Sequence, residues 1–354
     1  MDPSIRALGW TELDGRRLTS AEIEAILLQD PEKITRLGGE FFLEWDGCKA
    51  RDHFGIMAGD CPPGAMVCGD KVMGRIDPHY PVMRLGDAIE IAVRLRSDVG
   101  VVAMSGGVDS ALVARLAGRE CVVVGIDGSH DLLHAKEVAE DLGLALSRVL
   151  IDPGSIEDRL RQVLLVIPKI DPVNASIATT LNYVAEWAGL HGYRRILAGQ
   201  GADELFGGYA RYLQTETLAQ DLEKDFLGLS QQLARDQAVA ALHGTYFSLP
   251  YMDVRVVAAA LSIPAGEKVC RGVRKKPLRD VAERYMPSAI AQYDKKAMQY
   301  GSGVMKEIQR LANQRGYKRS VQDYLLYLCN EEGREIGQQI ANGRLKGSSI
   351  VSSG

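Results

Sequence analysis

The hexapeptide Ser105-Gly106-Gly107-Val108-Asp109-Ser110 holds the residue types that a phosphate and metal site needs. Glycines let a backbone pass close to an anion, and amides at the start of a following helix point at it with the positive dipole end behind them. Ser105 and Ser110 add hydroxyl donors, and Asp109 offers a carboxylate for a magnesium ion beside the phosphates. The Walker pattern is absent, so this is a different kind of phosphate loop. A plain strand-to-helix turn also favours glycine and serine; the complete hexapeptide, set between a strand and a helix, argues for more. A second group, Cys48, His53, Cys61 and Cys68, carries zinc-ligand types within a turn-rich stretch. Its spacing is unspecific, and ordinary cytosolic thiols are the reading adopted for these and for Cys121, Cys270 and Cys329.

The elements that must position the loop follow from periodicity. Leu85 to Leu95 has a helical apolar stripe, and the run from Val99 to Met104 fits a buried parallel strand that ends at the loop. The unit repeats: a helix over 109–118, a strand Cys121–Ile126, a helix over 131–142, and strands at 147–151 and 195–198. Such alternation predicts an α/β fold with an open parallel sheet and helices on both faces, whose ligands bind beyond the carboxyl ends of strands. Beyond residue 210 the chain reads as mostly helical. Residues 1–80 differ, with short strands and Gly/Pro punctuation, which predicts a small β-rich N-terminal region before a synthetase domain over 81–354. The net charge of −4 gives no broad footprint for nucleic acid. No apolar run nears the ~20 residues of a membrane span, and the start lacks a signal-peptide core, so a cytoplasmic protein is expected.

The hexapeptide resembles the signature of the ATP pyrophosphatase (PP-loop) superfamily, whose members split ATP between the α and β phosphates and form adenylates. A second stretch, Gly199-Gln200-Gly201-Ala202-Asp203-Glu204-Leu205-Phe206-Gly207-Gly208-Tyr209, resembles the GEGxDExFGGY segment of the asparagine synthetase synthase domain. Further segments follow in the family's order: Ser97-Asp98-Val99, Gly125 through Asp131 with Ala135 to Ala139, Ser248 to Val257, Lys275 to Arg279, and Lys295 to Gly303. Together they cover roughly residues 85 to 305. The resemblance implies a PP-loop fold with ATP and Mg2+. It makes Asp109 and Asp203 the metal carboxylates. Ser105, Gly106, Gly107, Ser110, Ile126, Gly199, Gly201 and Lys275 would bind the nucleotide. Lys295 (with Lys296 as the alternative register) would neutralise charge on the α-phosphate. Asp253 and Arg255 are expected to brace the fold.

Three departures bear on function. Asp2 and Pro3 follow Met1, where glutamine-dependent relatives carry a nucleophilic cysteine, so ammonia is expected free or from a separate glutaminase subunit. Ala50 to Ile56 resembles a late glutaminase segment, which reads as a shrunken remnant. The glutamate of the GEG segment is Gln200 here, and glutamine takes up no proton as a carboxylate does; Glu204 or a phosphate oxygen could substitute. Tyr293-Asp294 precede Lys295 where relatives often carry Arg-Pro. The expected function is ATP- and magnesium-dependent amidation of a small carboxylate, aspartate or an analogue, by ammonia. A PP-loop enzyme acting on another metabolite or a tRNA base, or a silent ATP-binding protein, are the alternatives. Homo-oligomerisation stays open.

Overall fold

The computed structural model describes residues 5–294 and 301–341, with the backbone alone from 332. Residues 6–75 build a six-stranded antiparallel sheet from β1 (Arg6–Leu13), β2 (Arg16–Arg17), β3 (Gly38–Trp45), β4 (Cys48–Arg51), β5 (Ala65–Cys68) and β6 (Lys71–Arg75), in the order β2-β1-β3-β4-β5-β6. Its first two hairpins turn on Asp14-Gly15 and Asp46-Gly47, with positive φ at both residues of each pair, the turn type that matches strand twist. Helix α1 (Ser20–Gln29) covers one face. Ile23 and Leu27 from it join Phe41, Leu43 and Trp45 of β3 in a core of their own, while Phe42 faces the other side with Met57 and Cys61.

Here the cysteine reading is corrected. Cys48 and Cys68 face each other across β4 and β5 and form a disulfide. They are therefore neither thiols nor metal ligands. Cys61 is a buried free thiol, and His53 Nδ1 is hydrogen-bonded to the Ile76 carbonyl at 2.8 Å. Among the described residues no His/Cys/Asp/Glu group gathers into a metal site of three or more.

The second sheet is the expected parallel one. It comprises β7 (Val101–Ala103), β8 (Cys121–Gly125), β9 (Leu146–Leu150), β10 (Arg195–Leu197) and β11 (Tyr246–Ser248), in the order β11-β10-β7-β8-β9. Both faces are buried, so neighbours along a strand enter different cores. Val101 and Ile196 pack with α5 (Ile156–Leu164), α6 (Pro172–Leu190), α9 (Leu229–Ala241), α14 (Val304–Gln314) and α15 (Val321–Ala341). Val102 and Leu197 pack with α2 (Leu85–Arg96), α3 (Val108–Ala117), α10 (Val254–Leu261) and α12 (Lys276–Ala282). Short α7 (Ala202–Phe206), α11 (Ala265–Lys268) and α13 (Ser288–Ala291), with α4 (His130–Leu142) and α8 (Leu218–Leu227), complete the layers. The mostly helical reading beyond residue 210 misses β11, a three-residue strand too short to show a period.

A buried ionic network joins the two sheets. Arg96 Nε donates to Glu40 Oε1 at 2.8 Å and its Nη1 to Asp253 Oδ2 at 2.9 Å; Arg255 donates to both oxygens of Glu12 at 2.7 Å. Glu40 also accepts from Trp10 Nε1, Ser248 Oγ and the Leu249 amide. Burial would draw the Arg96 guanidinium down, but Glu40 and Asp253 outweigh it and hold it above its ordinary value. Asp253 and Arg255 are thus braces, as expected.

Candidate active site

The strand order places β7 in the middle, with β8 and β9 built out one way and β10 and β11 the other. Loops leaving β7 and β10 therefore diverge at a topological switch point, where open α/β sheets bind ligands. Both glycine-rich motifs sit there.

After β7 the chain turns through Gly106 at φ +79°. A Cβ there would stand 2.8 Å from His134 Cδ2 and 3.1 Å from the Ala135 amide, so a larger residue would need both left-handed backbone and displaced neighbours. The Ser105 amide donates to Ser110 Oγ at 3.1 Å, and Ser110 Oγ donates to the Gly107 carbonyl at 3.2 Å. Ser110 is buried and its hydroxyl shapes the loop internally, while Ser105 Oγ lies 3.2 Å from it. Gly107 caps α3 without a side-chain hydrogen bond, which leaves the first-turn amides for an anion. Asp109 stands in that first turn, and buried Tyr251 donates from its hydroxyl to the Asp109 carbonyl at 2.9 Å. Burial and Asp109 hold the Tyr251 phenol well above its ordinary range, so it stays a neutral donor.

The loop after β10 closes against the first. Gly199 packs where a Cβ would lie 3.0 Å from Asp109 Cβ, and Gly201 opens α7, which carries Asp203 and Glu204. Lys275 joins the loops: its Nζ lies 2.6 Å from Asp109 Oδ2 and 2.6 Å from Asp203 Oδ1. Burial alone would lower the Lys275 amine, but the two carboxylates outweigh it and raise it, so the ammonium persists. A side chain at Gly208 would overlap the Asp203 carboxylate and Lys275 Cε. The second glycine of the FGGY segment is therefore what lets this trio close.

Arg274 Nη1 donates to the Gly208 carbonyl at 2.6 Å, and Arg279 donates to the carbonyls of Arg274, Ala291 and Tyr293 at 2.8–3.0 Å. These bonds lead the chain toward Lys295, which with Lys296 lies outside the described residues. The approach is docked on both sides. The Tyr293 hydroxyl is hydrogen-bonded to His130 Nε2 at 2.9 Å, and Asp294 pairs with Arg274 and Arg279. The Tyr-Asp pair thus has specific partners. Ile126 is at the same sheet edge, its amide donating to the Ser302 carbonyl at 3.0 Å.

Two predicted residues stand apart from the trio. Glu204 is buried and accepts from the Tyr209 hydroxyl and from Gln232 Nε2, the latter at 2.9 Å. Burial and neighbouring Asp203 raise its carboxyl, against those two hydrogen bonds. Gln200 Nε2 donates to Asp236 Oδ2 at 3.3 Å. Gln232 and Asp236 escape sequence reasoning because they stand on α9 with no motif around them, and Tyr251, though inside the Ser248 to Val257 segment, shows its contact with Asp109 only in the fold.

The site is thus an α/β sheet's switch point that brings two glycine-rich loops, two carboxylates and a buried ammonium together. The family model described as asparagine synthase matches residues 84–233 and 229–332, and the chain belongs to that family. A protein provisionally named asparagine synthetase (glutamine-hydrolyzing) 1 in Methanocaldococcus jannaschii is 35% identical over 291 residues, covering 70% of this chain and 54% of that relative. Asparagine synthetase B (glutamine-hydrolyzing) of Escherichia coli is 26% identical over 247 residues, covering 62% and 45%. The asparagine synthetase (glutamine-hydrolyzing) of Asparagus officinalis is 27% identical over 256 residues, covering 64% and 43%. The chain spans about half the length of the curated relatives it matches. Among the described residues no helix is long and apolar enough to cross a membrane.

Proposed function

We propose that the chain is an ATP- and magnesium-dependent amide synthetase of the AMP-forming kind, with aspartate and ammonia as the nearest named substrates. The observation that carries the reading is the trio: Asp109 and Asp203, from loops of different strands, share one buried ammonium at 2.6 Å each. Two carboxylates are the oxygen ligands a hard cation takes when phosphates complete its shell, so the residues fit magnesium. Asp109 and Asp203 would hold that ion, which would neutralise charge on the departing pyrophosphate.

The protein's own groups do the rest. Open amides of the α3 first turn and the Ser105 hydroxyl receive phosphate oxygens, and Lys275 is placed to pass from the carboxylates to the phosphates. The substrate carboxylate oxygen attacks the α-phosphorus, and the bond to the β-phosphate oxygen breaks with pyrophosphate leaving. The amine nitrogen then attacks the acyl carbon, AMP departs with the bonding pair, and the surplus proton goes to phosphate or water. Lys295 would neutralise charge at the α-phosphate. Residues 81–354 form the synthetase domain in this reading. Residues 1–80 are a separate β-rich region in front of it.

Gln200 favours one second reading, the same adenylation with an acid other than aspartate, because the position lacks a carboxylate. The test is pyrophosphate, AMP and amide production with ATP, magnesium, ammonium and aspartate, each omitted in turn, beside an Asp109→Ala variant. Asparagine that needs every component supports the named reaction. Pyrophosphate released only with a different acid moves the reading to that acid. Silence across a broad acid panel while ATP still binds would sink the synthetase reading.

A further inference from the structure

The turn of the phosphate loop rests on α4. The nearest neighbours of a Cβ built on Gly106 all belong to that helix, His134 Cδ2 first at 2.8 Å. The edge of the His134 imidazole therefore limits how closely the loop can approach the helix. The same ring carries a second contact. Its centre lies 4.0 Å from that of the Tyr293 ring, with the two planes tilted by 31°. The Tyr293 hydroxyl is hydrogen-bonded to His130 Nε2 at 2.9 Å, and His130 stands one helical turn before His134. Tyr293 is thus held by α4 at two points, through its ring and through its hydroxyl.

The backbone of Tyr293 is fixed as well. Its carbonyl accepts from Arg279 Nη1 at 3.0 Å, and Arg279 lies on α12, whose N-cap is Lys275. Lys275 returns to the phosphate loop through Asp109 at 2.6 Å. The contacts close a circuit through Gly106, His134, Tyr293, Arg279, Lys275 and Asp109, so the loop is gripped from both sides. Packing alone does not require an imidazole at residue 134. Its side chain is 13% exposed, and alanine or leucine would fill such a helix face. A planar ring turning on two torsions adds something else, a spacer of set thickness.

We infer that His134 is a positioning residue for phosphate recognition. Its ring spaces the Gly106 turn from Tyr293 and sets the curvature with which the α3 amides meet a pyrophosphate group. Tyr293, anchored on His130, fixes the ring in place. That the pyrophosphate belongs to ATP rests on the amide-synthetase reading; the spacing itself does not.

Two measurements on the full chain separate these. The first is calorimetric titration with magnesium pyrophosphate, which needs neither an acid nor turnover. His134→Ala is expected to weaken binding about ten-fold, and His134→Phe, which keeps a ring, to stay within about three-fold of the wild type. Tyr293→Leu should weaken binding as His134→Ala does, and the double variant no further, since the two side chains act in series. Wild-type protein that takes up no pyrophosphate, unchanged affinity in His134→Ala, a phenylalanine no better than alanine, or losses that simply add would each overturn the proposal. The second measurement compares KM for ATP with KM for ammonium, using whichever acid supports pyrophosphate release. His134→Ala is expected to raise the former about ten-fold and to leave the latter within about two-fold. Equal rises in both would mark a merely structural role and overturn it. Should His134→Ala not fold, Tyr293→Leu carries both comparisons, with Tyr293→Phe as the control that keeps the ring. If no acid releases pyrophosphate, the synthetase reading falls while the titration still decides the part His134 plays.

Discussion

Lys275 is held in left-handed backbone, φ +56°, at the start of α12 and delivers its ammonium between two carboxylates. Lys275→Met would leave Asp109 and Asp203 facing each other without a counter-charge. Pyrophosphate release is expected to fall at least a hundred-fold, on the order of 3 kcal/mol of transition-state stabilisation, in a protein whose circular dichroism is unchanged. A second residue-scale prediction concerns Asp52, fully buried beneath β3, where burial pushes its carboxyl up to about 6 against hydrogen bonds from the Met57 and Ile56 amides. Between an unfolded value near 3.8 and about 6, the folded chain binds a proton that the unfolded chain does not. Stability from this group is therefore full below the lower value and is lost as pH rises through the upper one, by about 2–3 kcal/mol at most. Urea midpoints of Asp52→Asn should lose that part of the wild type's pH slope; identical slopes would sink the assignment. Asp109 and Asp203 were legible because each sits inside a contiguous motif. Asp236 was not, since it takes its meaning from burial and from partners that folding brings up, and Asp52, though inside the Ala50 to Ile56 segment, shows its burial only in the fold.

Among the elements, the β7–α3 and β10–α7 units were readable as apolar runs ending in glycine, and the helices at 85, 109 and 131 began within one residue of their predicted starts. The parallel order itself was not readable, because pairing depends on where β11 and α9 finish, far along the chain. The tightest prediction at this scale is Gly208→Ala. Its methyl has no space beside Asp203 and Lys275, so the trio must spread, at a cost of about 1–3 kcal/mol. ATP-dependent pyrophosphate release should drop more steeply than the thermal midpoint, and a variant with full activity would show that the trio need not be tight. In the N-terminal sheet, the Cys48–Cys68 bridge closes a loop of separation 20. Reduction is expected to lower stability by about 3 kcal/mol, read as a dithiothreitol-dependent shift in the urea midpoint that a Cys48→Ala/Cys68→Ala variant no longer shows.

The whole molecule is held together by ions buried between its two sheets. Arg96→Met would strand Glu40 and Asp253 in a site almost without solvent, and removing one partner of such a set costs about 3–5 kcal/mol. Loss of folded yield, or a large drop in the urea midpoint, is expected; a change below 1 kcal/mol, about the scale of a surface pair, would mean that the network is not what joins the sheets. Only the bracing role of Asp253 and Arg255 was readable from the sequence; their partners Glu12, Glu40 and Arg96 lie far from them along the chain, each among ordinary neighbours. The trio at the switch point has a consequence at this scale too. With its ammonium in place it carries one excess negative charge, a poor host for a polyanion. A divalent cation reverses that sign. On the proposed function the cleft would work as a rectifier, admitting positive charge first and nucleotide only with or after it, so nucleotide affinity without divalent metal is expected to be weak and to sharpen as metal is added.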